Sequence, residues 1–178
     1  MTAALLIIDM QKGLFTSDRR RHDQAGTVAR LNTLAAKVRS ANGTVIFIQH
    51  HGPIGSDFHP SCKGWPLLPE LDKQRGDLVI NKSECDAFLN TILERTCQNR
   101  GIDHLIIGGC ATDYCVDTTV RRALGLGYRV TVASDGHTTA DRPHLSAEKI
   151  IQHHNAIWAD FIAPNGPAKV IASEQIEP

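Results

Sequence analysis

Five short segments rich in apolar residues, most of them unbroken, constrain the fold of this chain more than any other feature. They occupy residues 4–8, 44–48, 77–80, 104–108 and 127–133. A continuous apolar run, in place of an alternating pattern, is typical of a strand that is covered on both faces. Strands of this kind occur in parallel sheets that carry helices on each side.

Helical patterns separate these strand-like segments. In residues 24–42 the apolar residues recur at helical spacing before Gly43, and they are Val28, Leu31, Leu34, Ala35 and Val38. Similar patterns predict helices over residues 85–98, 112–126 and 145–158. Residues 160–163 predict a short sixth strand, and we expect the sequence beyond Pro164 to be peripheral.

This alternation of strands and helices predicts the fold class. We expect an α/β protein with three α/β/α layers and a Rossmann-like, open and mostly parallel sheet of about six strands. The chain has 178 residues, a length that suits one domain with a sizeable core. We therefore expect residues 1–178 to form a single domain.

Charge and composition exclude several classes of function. Lys plus Arg and Asp plus Glu number 19 each, so no net field favours nucleic acid or an anionic membrane. The basic run at residues 19–21 is short and lies between acidic residues, which predicts a solvated loop. Residues 3–8 are too few for a targeting signal, and no apolar run approaches the roughly 18 residues of a membrane span. We expect no nucleic-acid or membrane partner.

The cysteines indicate a reducing compartment. Five are present, an odd number without a close C-x-x-C pair: Cys62, Cys85, Cys97, Cys110 and Cys115. This pattern does not suit a disulfide framework or a zinc ribbon, and a cytoplasmic location is the simplest expectation.

Three residues with chemically useful side chains stand at the ends of different predicted strands. Asp9, Lys82 and Cys115 each lie at or just beyond the carboxyl end of a strand. Ligands of open α/β sheets bind outside these ends, where the strand order reverses. A carboxylate, an amine and a thiol gathered in one crevice predict a nucleophilic site.

Cys115 lies in a strand-to-helix turn, residues 108–116. Free backbone N–H groups and the helix dipole favour a thiolate there and can stabilise an oxyanion. An inert, buried cysteine is the alternative, because cysteine is among the most buried residue types. Asp9 could instead cap a turn and Lys82 could be a surface residue, while the pair at residues 112–113 predicts a helix N-cap.

Three motifs, taken in order, resemble the isochorismatase-like cysteine hydrolases, a family that includes nicotinamidases and other small amidases. They are Ile7-Ile8-Asp9-Met10-Gln11, Lys82 after a strand, and Gly-Cys-Ala-Thr-Asp-Tyr-Cys-Val at residues 109–116. The resemblance covers residues 5 to 163, nearly the whole chain. It implies a small-molecule substrate and assembly into a homodimer or a higher homo-oligomer.

The resemblance also implies a role for each residue of the motifs. Cys115 would be the nucleophile that forms a covalent thioester, and Asp9 would be the general base and acid. Lys82 would stabilise the thiolate and Asp9 through its positive charge. A cis peptide between Cys110 and Ala111 would turn the backbone N–H groups of Ala111 and Cys115 toward one oxyanion. Cys110 itself is expected to be a packing residue.

One segment departs from the nicotinamidase pattern. Nicotinamidases bind zinc through an aspartate and two histidines, but this chain has Gln49-His50-His51, with His59 beyond. A neutral amide oxygen is a poor zinc ligand. We therefore expect no metal and no cofactor. His51 and His59 are expected to be polar residues at the mouth of a pocket, with metal binding as the alternative.

The remaining motifs narrow the branch of the family. Since Cys115 is present, the resemblance favours hydrolysis of a C–N bond in an amide, lactam or ureido compound. Residues 49–53, 64–66 and 68–71 resemble the metal-free branch that includes streptothricin-hydrolase-like enzymes. Its pocket would be lined by Phe15, Gln49, His50, Trp65 and Tyr114. Two alternatives remain open: vinyl-ether hydrolysis of the isochorismatase type, and a catalytically silent relative that binds a small molecule.

Overall fold

A six-stranded parallel sheet forms the centre of the computed structural model, which describes residues 2–18 and 20–178. The strands are β1 (Thr2–Ile8), β2 (Thr44–His50), β3 (Leu78–Lys82), β4 (Ile102–Cys110), β5 (Arg129–Thr138) and β6 (Lys169–Ile171). Their order in the sheet is β3-β2-β1-β4-β5-β6, and all neighbouring pairs are parallel. The order therefore reverses between β1 and β4, where a ligand crevice is expected.

Four helices cover the two faces of the sheet. They are α1 (Gln24–Ser40), α2 (Leu93–Asn99), α3 (Asp117–Gly125) and α4 (Ala147–Ala159). Helix α1 packs on one face, and buried residues of α2, α3 and α4 pack on the other. No helix in the described part of the chain is long and apolar enough to cross a membrane. The predicted three-layer α/β/α architecture is confirmed.

The side chains of β1 explain why its sequence is continuously apolar. Ala4, Leu6 and Ile8 pack into the core beneath α2, α3 and α4. The alternate residues of the strand, which are Ala3, Leu5 and Ile7, pack into the core beneath α1. Successive side chains of a strand point to opposite faces, so a strand covered on both faces needs apolar residues at every position.

The second helix is much shorter than predicted. The pattern in residues 85–98 predicted a helix throughout, but α2 begins only at Leu93. Asn90 has a φ of +55°, a left-handed conformation that cannot continue a right-handed helix. Leu89 and Ile92, which contributed to the apolar pattern, are exposed. Residues 85–92 therefore form turns that border the carboxyl edge of the sheet.

The sixth strand lies later in the chain than predicted. Residues 160–163 form no strand, and Ile162 is 96% exposed. The sixth strand is β6, which pairs with β5 from Thr131↔Lys169 to Ala133↔Ile171. Ile176 is buried in the core beneath α1. The segment beyond Pro164 thus completes both the sheet and one core, and the prediction that it is peripheral is wrong.

Candidate active site

The ends of three strands bring Asp9, Lys82 and Cys115 together. Lys82 is the last residue of β3, and its Nζ lies 2.7 Å from Asp9 Oδ2 and 3.3 Å from Cys115 Sγ. The same Nζ donates a hydrogen bond of 2.8 Å to the carbonyl of Glu84. The Lys82 and Asp9 side chains are 0% and 2% exposed. Lys82 is therefore a buried cation that links a carboxylate with a thiol.

The charges of this cluster influence one another strongly. Burial opposes the charged form of Lys82, but the negative charge of Asp9 and the hydrogen bonds from Nζ to Asp9 and Cys115 outweigh it, so the pKa of Lys82 is raised. Lys82 is thus a permanent cation at neutral pH. Asp9 Oδ1 is buried and has no hydrogen-bond partner among the described residues. The Asp9 carboxylate consequently has one oxygen bound to Lys82 and one free acceptor.

The resting state of Cys115 differs from the sequence-based expectation. Burial raises the pKa of the Cys115 thiol, the negative charge of Asp9 raises it further, and Lys82 only partly opposes both. The strand-to-helix turn predicted a thiolate, but desolvation and the neighbouring carboxylate favour the protonated form. Cys115 is therefore a thiol before the substrate binds.

The turn that carries Cys115 is wider than an α-helical turn. Over Thr112–Val116 the chain forms a π-type turn, in which the Val116 N–H donates to the Ala111 carbonyl at 3.1 Å. Helix α3 begins only at Asp117, so the helix predicted over residues 112–126 is divided in two. The Cys110–Ala111 peptide is cis. Gly109 has a φ of +125°, and a side chain at this position would collide with the backbone of Ile8.

Side chains from β5 and beyond hold this turn in place. Thr112 Oγ1 bonds to His137 Nδ1 at 2.9 Å, and Asp113 accepts hydrogen bonds from Thr139 and Arg142 at 2.6 and 2.8 Å. Neither Thr112 nor Asp113 caps the following helix, so the N-cap prediction is wrong. Their side chains instead bind the turn to His137 near the end of β5 and to Thr139 and Arg142, which follow that strand.

His137 is the centre of a buried polar network behind the turn. Its Nε2 lies 2.9 Å from Asn155 Oδ1, while Asn155 Nδ2 donates to the Ser134 carbonyl. Burial lowers the pKa of His137 to about 4, with the hydrogen bond to Asn155 opposing that shift, so the ring is neutral at pH 7. Because an amide oxygen only accepts, Nε2 carries the proton and Nδ1 accepts from Thr112. The network fixes one tautomer and one orientation of the ring.

A cavity of about 290 Å³ opens beside the three clustered residues. Its lining residues are Asp9, Leu14, Arg21, His50, Phe58, Cys85, Ala111, Tyr114, Cys115 and Arg142. Two of the predicted pocket residues, His50 and Tyr114, belong to this lining. The other three do not: Gln49 is buried and donates to the Trp65 carbonyl at 2.9 Å, the Trp65 ring meets that of His51 with centroids 6.4 Å apart, and Phe15 packs against the core beneath α1.

A larger cavity, of about 590 Å³, lies at the opposite edge of the sheet. It is bordered by the first residues of several strands, among them Ala3, His104, Arg129 and Lys169. No cysteine lines this cavity. The two edges of the sheet therefore differ in both the size and the chemistry of their cavities.

Comparison with known proteins decides the family of the chain. The Isochorismatase domain family matches residues 3–159, which is most of the length. The chain belongs to the isochorismatase family. One solved structure, of an isochorismatase family protein, is 33% identical to this chain and superposes on it with a TM-score of 0.87. The superposition covers 96% of this chain and 98% of the other protein. The N-carbamoylsarcosine amidase of Thermoplasma acidophilum shares the fold, with a TM-score of 0.81 at 21% identity.

Curated relatives of this isochorismatase-family chain include two kinds of enzyme. A streptothricin hydrolase of Streptomyces noursei is 31% identical over 140 residues, which are 79% of this chain and 51% of the relative. The ureidoacrylate amidohydrolase RutB of Variovorax paradoxus is 29% identical over 170 residues, which cover 75% of this chain and 67% of RutB. The chain thus spans about half the length of the streptothricin hydrolase it matches.

The histidines near β2 are not clustered with other potential metal ligands among the described residues. The rings of His51 and His59 meet edge to face with centroids 6.2 Å apart, and His59 Nδ1 bonds to Ser61. Within residues 2–18 and 20–178, no group of three or more His, Cys, Asp and Glu side chains is placed to hold a metal ion. Gln49, at the position of the carboxylate ligand, uses its amide to hold Trp65.

Several residues of the site were missed by the sequence analysis. Arg21 was expected in a solvated loop, but it lines the cavity, as does Arg142, to which the sequence analysis assigned no role. His137 and Asn155 carried no local motif, because strand β5 and helix α4 bring them together across 18 positions of sequence. Strand β5 extends to Thr138, beyond its apolar part, and no sequence pattern indicated that extension.

Proposed function

We propose that this hydrolase cleaves a C–N bond of a small amide, lactam or ureido compound through a thioester on Cys115. The observation that carries the proposal is the buried contact of Lys82 Nζ with both Asp9 and Cys115, at 2.7 and 3.3 Å, beside a cavity of small-molecule size. A streptothricin hydrolase and a ureidoacrylate amidohydrolase among the relatives support C–N bond chemistry.

Acylation requires a base, since Cys115 holds its proton before the substrate binds. As Sγ forms a bond to the substrate carbonyl carbon, the thiol proton passes to Asp9, whose Oδ1 has no other hydrogen-bond partner among the residues described. The electron pair of the C=O bond moves to oxygen. The backbone N–H groups of Ala111 and Cys115 are the proposed donors to this oxyanion, and one such donor typically contributes about 3 kcal/mol.

Collapse of the tetrahedral species completes acylation. The oxyanion returns its electron pair, the C–N bond breaks, and protonated Asp9 gives its proton to the leaving nitrogen. A thioester on Cys115 remains. Water then enters, Asp9 takes one of its protons, and the hydroxyl adds to the thioester carbon. The C–S bond breaks, the acid product leaves, and Asp9 returns the proton to the sulfur.

Lys82 acts in these steps as a fixed charge. Its raised pKa keeps the proton on Nζ, so it neither accepts nor supplies a proton at neutral pH. Its charge stabilises the Asp9 carboxylate before the reaction and the negative charge on sulfur during attack and departure. The ammonium is itself held by the Glu84 carbonyl, which fixes its position between the two partners.

Replacement of the proposed nucleophile is the direct test. Cys115→Ala should lower turnover by at least about 10⁴-fold, because a nucleophile cannot be replaced by its neighbours. The assay is a panel of small amides, lactams and ureido compounds that includes nicotinamide and isochorismate, with and without zinc. An unchanged circular dichroism spectrum shows that the variant is folded.

The control is Cys62→Ala, which removes a cysteine that does not line the cavity and should keep full turnover. Acid quenching of wild-type protein during turnover should trap substrate mass on the peptide that contains Cys115. Turnover by Cys115→Ala at the wild-type rate would exclude the thioester route. Turnover of isochorismate alone would favour vinyl-ether hydrolysis.

A further inference from the structure

Among the described residues, the charged side chains that line the site cavity are paired, with one exception. Asp9 is paired with Lys82 at 2.7 Å, and Arg142 is paired with Asp113 at 2.8 Å. Arg142 also lies over the ring of the cavity-lining Tyr114, 5.1 Å from its centroid. Arg21 lines the same cavity and has no ion pair with any described carboxylate. The described lining of the cavity therefore has an excess of one positive charge.

The guanidinium of Arg21 is oriented by the backbone. Its Nε donates a hydrogen bond of 2.8 Å to the Leu14 carbonyl. This bond occupies the side edge of the planar guanidinium, where Nε lies. The end edge, with Nη1 and Nη2, makes no hydrogen bond to the described residues. Two parallel N–H donors in one plane match the two oxygens of a carboxylate, which is the preferred geometry of arginine with this group.

The charge of Arg21 acts at the carboxyl edge of the sheet. Burial raises the pKa of Cys110 to about 12, and Arg21 is the foremost charge that opposes this rise. Cys110 directly precedes Ala111, which lines the cavity with Cys115. The positive charge of Arg21 thus lies at the same cavity as Ala111 and Cys115.

The other walls of the cavity limit the size and character of a ligand. Leu14, Phe58 and Tyr114 supply apolar surface next to the charged groups. A volume of about 290 Å³ is at the small end for ligand pockets. Such a cavity suits a short molecule with an anionic end, a small apolar or flat middle and a reactive carbonyl.

We propose that the substrate is a small carboxylic acid, whose carboxylate pairs end-on with Arg21 while its amide or ureido carbonyl lies against Cys115. This inference rests on the proposed function and specifies its substrate class. A cationic substrate would bring a second positive charge to a half-buried guanidinium, which is unfavourable. Binding of an anion, in contrast, pairs the one uncompensated charge of the cavity.

A matched pair of compounds tests the substrate class. N-carbamoylglycine carries a ureido group and a carboxylate, and 2-hydroxyethylurea replaces the carboxylate by a neutral alcohol of similar size. Wild-type protein should prefer the acid. Arg21→Met should lower kcat/KM for the acid by about 10- to 100-fold, mainly through KM. The same variant should leave kcat/KM for the alcohol unchanged. Arg20→Met, at the neighbouring exposed position, should change neither.

Equal losses for the acid and the alcohol in Arg21→Met would overturn the proposal, because they would mean that Arg21 only supports its loop. A wild-type preference for the alcohol would overturn it as well. Arg21→Lys should restore part of the preference for the acid, since it retains the charge and loses the two-donor fork.

Calorimetric titration of the Cys115→Ala protein separates this proposal from the mechanism. The acid should bind more tightly than the alcohol, and the difference should vanish in Cys115→Ala/Arg21→Met. Equal binding of the two compounds, or binding of neither, sinks the carboxylate proposal even if Cys115 is essential for turnover. Arg21-dependent binding of the acid, combined with undiminished turnover by Cys115→Ala, would reject the thioester and retain the substrate class.

Discussion

The two edges of the sheet hold cavities of opposite character. At the amino edge, the cavity of about 590 Å³ is lined by Arg129, which forms an ion pair with Asp103; the two side chains are 45% and 50% exposed. At the carboxyl edge, the cavity of about 290 Å³ lies over Lys82 and Asp9, which are almost completely buried. The smaller cavity is therefore the one that lies next to a buried ion pair.

The difference concerns the energetic cost of charge. An exposed ion pair contributes about 0–1 kcal/mol, and its loss changes little. A buried ion pair often stabilises a fold less than apolar residues of similar volume would, while loss of one partner is severe. A fold that retains such a pair beside a thiol indicates a functional site. Cavity volume alone would have selected the wrong edge.

The largest expected effect comes from removing the buried cation. Lys82→Met should lower the free energy of unfolding by about 3–5 kcal/mol, because Asp9 would be left buried without a counterion, and it should also abolish most turnover. Lys169→Met, at the start of β6 on the amino edge, should change stability by no more than about 0.5 kcal/mol. Urea titration measures both values.

The double variant Asp9→Asn/Lys82→Met checks the cause of this loss. It should be more stable than Lys82→Met alone, since the unpaired buried charge is gone. If Lys82→Met is no less stable than Lys169→Met, the two edges do not differ in the way that their burial indicates.

The second effect should appear in turnover. Asp9→Asn should lower kcat by about 10³-fold, because an amide cannot take the proton of the Cys115 thiol. Asp103→Asn, the matched change at the amino edge, should leave kcat unchanged. Circular dichroism and steady-state kinetics on a reactive substrate of the panel provide the comparison. A kcat within tenfold of wild type in Asp9→Asn would argue for a different base.

The smallest of the three effects concerns pH. The pKa of His137 falls from 6.5 to about 4 on folding, so below pH 6.5 the unfolded chain binds a proton that the folded protein does not. The stability that His137 contributes is therefore complete above pH 6.5 and is lost as the pH falls toward 4, a difference of roughly 3 kcal/mol. His137→Gln should reduce this dependence.

His104→Gln is the control at the amino edge. Burial lowers the pKa of His104, and the charge of Arg129 lowers it further. The contribution of His104 to stability therefore changes with pH in the same direction as that of His137. The ring is only partly buried, however, and we expect most of the pH dependence to remain in this variant. Urea titrations at pH 7, 6, 5 and 4 decide the matter. Identical slopes for the wild type and His137→Gln would contradict the assigned protonation of His137.

The sheet and its three notable strand ends were predictable because their signal is local. A continuous apolar run identifies a doubly covered strand, and the carboxyl ends of parallel strands necessarily meet at one edge. This reasoning was sufficient to bring Asp9, Lys82 and Cys115 together. Strand β6 gave no such signal, because it has three residues and obtains its stability from pairing with β5.

The remaining parts of the site depend on distances that the sequence does not contain. Arg21 faces the cavity because its Nε is held by Leu14, a contact within a loop that has no periodic pattern. The protonation of Cys115 follows from how much water its surroundings exclude, which the sequence does not reveal. The proposed role of Arg21 and the protonation of Cys115 therefore follow from the three-dimensional structure and not from the sequence.

The wide turn at Thr112–Val116 sets the rotational phase between strand β4 and helix α3. Deleting one residue here would rotate the whole of α3 by about 100° relative to the sheet. The buried stripe Thr119, Val120 and Ala123 would then turn away from its core at the same moment as Cys115 left the cavity. The length of this turn thus determines both the packing of helix α3 on the sheet and the position of the Cys115 thiol in the cavity. An insertion or deletion in the turn would therefore change both at once.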